Sequence, residues 1–180
     1  MNRYIALLRG INVSGHNAIR MTALQTSFTT LGLQEPQTYL QSGNVVFRAA
    51  STDTSALAQT IATQITQDFG HAVPVLVLSA AELEVITQSN PLWPPEGGDE
   101  KLFHATFLFQ PVAQARFNAL KLPAATGERA VLVENTVLLH CPGGYGKTKL
   151  SNSTFEKLLG VPATTRNWRT VLALRAMCQQ

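Results

Sequence analysis

The chain has 180 residues, 45% hydrophobic and 14% charged, a composition that builds a core and excludes general disorder. That length suits one large domain or two small ones. The net charge of +3 is modest, and Arg3 and Arg9 flank a five-residue apolar run too short for a signal peptide or a membrane span.

No membrane partner is expected, and with Cys141 and Cys178 forming neither a CxxC pair nor a disulfide framework, the expected location is cytoplasmic. The charge is unevenly spread. Residues 1–34 hold Arg3, Arg9 and Arg20 with no acid, and residues 135–180 hold six basic groups against Glu156 alone. The middle, 35–134, has five basic and ten acidic residues, so the ends carry +8 and the middle −5. Ends brought together would make a basic face that attracts an anion; ordinary solvated surface is the plainer reading.

Arg3–Leu8 (RYIALL) has strand length and composition, and the Gly- and Asn-rich INVSGHN after it reads as loop. Met21, Leu24, Phe28 and Leu31 then recur at helical spacing, with Gly32 as a stop. Thr38–Gln41 and Asn44–Arg48 read as a hairpin turning at Ser42-Gly43. Asp53 or Thr54 caps a second helix whose stripe is Leu57, Ile61, Ile65 and Phe69, closed by Gly70. Val73–Leu78 (VPVLVL) is a strand opened by Pro74. This βαββαβ order is that of a ferredoxin-like sandwich, assigned to residues 1–78.

Residues 79–180 read as a second, smaller α+β subdomain. Ser79 to Glu82 forms a capping box for a short helix. Asn90–Glu100, with three prolines and two glycines, is a loop, either an interdomain connection or a lid. Leu102–Phe109 reads as strand, Val112–Leu120 as helix, and Glu128–Glu134 with Thr136–His140 as a hairpin turning at Glu134-Asn135. This βαββ order echoes the first half without residue-by-residue repetition. Two C-terminal helices finish the chain, Asn152–Leu159 and one starting at Thr165 that buries Trp168, Val171, Leu172 and Leu174. The fold class is therefore α+β.

Four polar segments carry the candidate site. In RGINVSG, Arg9 offers a fork for carboxylate or phosphate, and Gly10 and Gly15 let backbone N–H groups curl around an anion beside Asn12. The alternative is a flexible connection with Arg9 in a structural ion pair. In QSGN, Gln41, Ser42 and Asn44 suit a base edge or a sugar hydroxyl, or simply serve the turn. GGYGKTKLSN places Lys147 and Lys149 on a basic loop. It is not a phosphate-binding loop of the nucleotide triphosphatases, because Cys141 stands where the first glycine is needed. In TTRNW, Thr164 or Thr165 is read as the helix cap, with Arg166 and Asn167 near an N-terminus that favours negative charge.

His16, His71, His104 and His140 are scattered singly, with no HExxH pair and no GxSxG elbow. No metal site and no cofactor are expected, and no catalytic residue stands out.

ALLRGINVSG, YLQSGNVVF, GKTKLSN and LGVPATTRNW, in this order, resemble the bacterial domain-of-unknown-function family 1697 over essentially the whole chain. The resemblance implies a two-part α+β protein with a ferredoxin-like first part and no established activity. Ser14 departs from the family's usual RGINVGG. The functional expectation is a binding module for an anionic ligand, nucleic acid or nucleotide, at a basic cleft between the subdomains. The alternatives are an enzyme acting on a small phosphorylated or polar metabolite there, and a structural or protein-partner-binding domain.

Overall fold

The computed structural model describes all residues, Met1–Gln180. The protein is α+β, with two four-stranded antiparallel sheets and six α-helices. The chain forms two compact units, residues 1–84 with 174–180 and residues 85–173.

The first unit runs β1 (Asn2–Leu8), α1 (Met21–Thr30), β2 (Gln34–Tyr39), β3 (Asn44–Ala49), α2 (Thr54–Phe69) and β4 (Val75–Ser79), with strand order β2-β3-β1-β4. β1 is central, so its apolar run is buried almost end to end. Tyr4, Ala6 and Leu8 of β1 join Val45 and Phe47 of β3 in a core with Leu24 and Phe28 of α1 and Leu57, Ile61 and Ile65 of α2. Phe69, in the last turn of α2, is only half-buried at the edge of that core. Asp53 caps α2 by accepting from Ala56 N at 2.9 Å, and Gly70 closes it in the left-handed conformation. The capping box ahead of α3 (Ala80–Gln88) forms in both directions. Ser79 Oγ accepts from Glu82 N at 3.2 Å, and Glu82 Oε2 accepts from Ser79 N at 2.7 Å.

The second unit runs β5 (Phe103–Leu108), α4 (Gln114–Asn118), β6 (Arg129–Val133), β7 (Thr136–His140), α5 (Asn152–Leu159), β8 (Ala163–Asn167) and the start of α6 (Trp168–Cys178). Short 3-10 turns lie at Glu100–Leu102 and Tyr145–Lys147. TTRNW does not open the last helix, because Ala163–Asn167 is an edge strand paired with β5 and the helix begins only at Trp168. Without that strand one side of β5 would lose its backbone partners. Thr165 instead faces Thr106 across the pair, their hydroxyls 2.8 Å apart. The cap belongs to Asn167, whose Oδ1 accepts from Arg169 N at 3.0 Å. The Asn90–Glu100 loop lies inside the second unit, with Leu92 buried and Trp93 against Phe103 and Trp168.

With β8 in place, the second sheet has the order β6-β7-β5-β8, matching the first element for element. The correspondence reaches single hydrogen bonds. Leu8 N donates to Gly43 O and Leu108 N to Asn135 O; Arg9 N donates to Pro74 O and Phe109 N to Pro162 O. In each unit a helix follows directly on the fourth strand.

Candidate functional site

Residue 9 leaves β1 into a loop that reaches α1 at residue 21, and five of its residues (Gly10, Asn12, Ser14, Gly15 and Asn17) have positive φ. Gly10 and Gly15 adopt it freely; at Asn12, Ser14 and Asn17 it needs support from the surrounding structure, and Asn12 is the main holder. Its Nδ2 donates to Gln41 O at 2.8 Å and to Ile19 O at 3.0 Å, while its Oδ1 accepts from Ile19 N at 2.8 Å. Asn17 Nδ2 adds a bond to Gly10 O at 3.0 Å. One side chain thus ties the loop both to its own exit and to the β2–β3 turn.

In that turn Leu40 has φ 58 and Gly43 has φ 84. A Cβ on Gly43 would stand 2.7 Å from Leu8 Cβ, so close backbone approach demands glycine there. Asn44 is fully buried and serves the turn, its Nδ2 donating to Tyr39 O and Ser42 Oγ, each at 2.9 Å. Gln41 and Ser42 are exposed and Arg9 is half-buried. The structure therefore brings Asn12, Gln41, Ser42 and Asn44 together, with Arg9 at the end of the adjoining strand. Arg20 was not singled out from the sequence. It is exposed at the N-cap position of α1, which has no side-chain cap and no acidic residue in its first turn. Its only sequence signal is its place just before the helical pattern. An uncapped helix start leaves backbone N–H groups for an anion.

The remaining candidates lie in the second unit. Lys147 and Lys149 are exposed on the loop before α5, and Lys149 O accepts from Thr154 Oγ1 at 2.7 Å. Arg166 is buried, its Nη1 donating to Thr164 Oγ1 at 2.6 Å and Thr165 O at 3.0 Å. Burial pulls its pKa down to about 10, which still leaves it charged at neutral pH. Asn167, besides capping α6, lies 3.3 Å from His104 Nε2 and 3.3 Å from Glu100 O. His104 and Tyr145, stacked with ring centroids 4.3 Å apart, were not singled out either, because their partners lie far off along the chain. No group of three His, Cys, Asp or Glu side chains is placed to hold a metal ion, and no helix is long and apolar enough to cross a membrane.

Among solved structures, the chain is similar to the conserved bacterial protein SP0830 from Streptococcus pneumoniae. The TM-score is 0.72 at 24% identity, with 98% of each chain covered, a likeness of fold. No curated protein matches it. The family model described as "Protein of unknown function (DUF1697)" matches residues 1–138, about three quarters of the chain, and the chain belongs to that family.

Proposed function

We propose that the first unit is a binding module for an anionic ligand, a nucleic acid or nucleotide whose phosphate meets the start of α1. The observation that carries this reading is the loop that Asn12 holds in place. It delivers Arg20 and an uncapped helix N-terminus at one end, starts at Arg9, and is bonded to the turn that exposes Gln41 and Ser42. Helix-start N–H groups and guanidinium forks both favour phosphate oxygens. Gln41 and Ser42 supply neutral donors and acceptors for a sugar or base edge. A ferredoxin-like reading of the first unit is supported by its βαββαβ order and its β2-β3-β1-β4 sheet. A cytoplasmic setting is supported by two cysteines that are both free thiols.

The test is fluorescence anisotropy with labelled single-stranded RNA, single-stranded DNA and a nucleotide across a salt series. Phosphate binding should weaken steeply as salt rises, and Arg9→Ala and Arg20→Ala should each lower the salt slope by roughly one. Absence of salt-dependent binding to all three probes, or binding that neither substitution alters, rejects the reading.

A further inference from the structure

Leu40 is unfavourable on two counts. It is 56% exposed, and it holds φ 58 in the β2–β3 turn. Left-handed backbone is disfavoured for any residue with a Cβ and is an outlier for a bulky one. A leucine left in water also forgoes the burial that could offset such strain. Asparagine or glycine would serve the turn better. Val13, on the loop after β1, is exposed to the same degree and stands between Asn12 at φ 54 and Ser14 at φ 47. Apart from the terminal Met1, the large apolar side chains left exposed are Val13, Leu40 and Val85. Two of these three belong to the segments that Asn12 joins.

The Asn12 carboxamide fixes this neighbourhood. Its Nδ2 lies 2.8 Å from Gln41 O and 3.0 Å from Ile19 O. Leu40, Val13 and Arg20 are therefore each one residue along the chain from a group in that bond set. Gln41 and Ser42, next in sequence after Leu40, are exposed. Residues 1–34 contain three arginines and no acid. The first acid, Glu35, is already engaged by Arg48 at 3.1 Å and Arg3 at 3.6 Å.

Aliphatic surface, neutral amide and hydroxyl groups, and positive charge are thus gathered around one side chain. An unpaired nucleotide carries the matching three: an apolar base face, a polar base edge and a phosphate. A paired base is covered by its neighbours in the stack and offers no face to a leucine. An anionic bilayer would suit the arginines, but two aliphatic side chains bury too little area to hold a protein there. We propose that Leu40 and Val13 are the apolar seat for an unpaired nucleobase, so that the ligand of this site is single-stranded nucleic acid. The inference rests on the reading of the first unit as an anion-binding module and adds what selects the anion. Strain and exposure at Leu40 are then properties of a binding residue, for which stability is commonly traded.

The experiment is fluorescence anisotropy of the full chain with a labelled oligothymidylate, an abasic strand of the same length and the matching duplex. Wild type should bind the oligothymidylate about tenfold more tightly than the abasic strand, and more tightly than the duplex despite its extra phosphates. Leu40→Gly, which suits the left-handed turn without a side chain, should erase that preference and leave affinity for the abasic strand unchanged. Val13→Ser should reduce the preference several-fold. Equal binding of oligothymidylate and abasic strand by wild type overturns this inference while the anion-binding reading stands. A preference that survives Leu40→Gly, or sedimentation with phosphatidylserine vesicles that Leu40→Gly abolishes, overturns it as well. No binding to any of the three probes overturns both readings together.

Discussion

Acidification should destabilise the second unit through His104, and the size of the effect follows from its burial. The folded imidazole titrates at about 4 against an ordinary value of 6.5 because the ring is desolvated. The native state thus resists a proton that the unfolded chain accepts, so stability falls as pH drops below 6.5 and stops falling, for this group, below 4. From those two values the loss relative to neutral pH is about 2 kcal/mol at pH 5 and approaches about 3 kcal/mol once both states are protonated. The comparison is wild type against His104→Phe, which keeps a ring beneath Tyr145 but cannot titrate. Both tryptophans, Trp93 and Trp168, lie in the second unit, so intrinsic fluorescence during urea unfolding reports that unit. Wild type should lose about 2 kcal/mol of unfolding free energy relative to the variant between pH 7 and pH 5. Parallel pH profiles would refute the reasoning, whatever the absolute stability of the variant.

Gly43→Ala should destabilise the first unit by about 2–4 kcal/mol, since the new Cβ meets Leu8 at a backbone angle that L residues disfavour; chemical denaturation reads this directly. Leu40→Asn should stabilise by about 0.5–1 kcal/mol, because Leu40 is 56% exposed and left-handed, a conformation asparagine adopts more readily. A lower melting temperature would mean that the leucine side chain contributes packing worth more than its strain. Asn12→Ala should cost about 2–3 kcal/mol of local stability by removing three hydrogen bonds. Hydrogen exchange should show it as faster exchange at Ile19, and unchanged protection there would contradict the tying role.

Elements whose signals are local were readable from the sequence. Asp53 and Gly70 bracket α2, Ser79 and Glu82 announce α3, and Glu134-Asn135 turns the second hairpin where expected. The strand β8 was not readable, because Thr-Thr-Arg-Asn before an apolar helical pattern looks like a cap. Its identity depends on β5, about sixty residues earlier. The repetition of the fold was veiled for the same reason: it survives in backbone bonds at Leu8 and Leu108, which carry no residue code. At the candidate site, glycines and asparagines correctly marked the loop and turn that Asn12 joins. The burial of Arg166 was hidden, since a charged side chain ordinarily reads as surface. The pairing of His104 with Asn167 spans 63 residues, and no spacing rule reaches that far.

The membership of Leu174–Gln180 in the first unit sets a timetable for synthesis. Arg175 grips Glu84 with two bonds of 2.6 Å across a separation of 91 residues. A ribosome adding about 5–20 residues per second needs roughly 5–18 s to pass from one partner to the other. Through that interval the β2-β3-β1-β4 sheet already has all its strands, while the segment that completes its unit has not been made. The first unit is therefore among the first parts of the chain to begin folding and the last to finish. Nascent chains stalled before residue 174 should be open to proteases in a way the released protein is not.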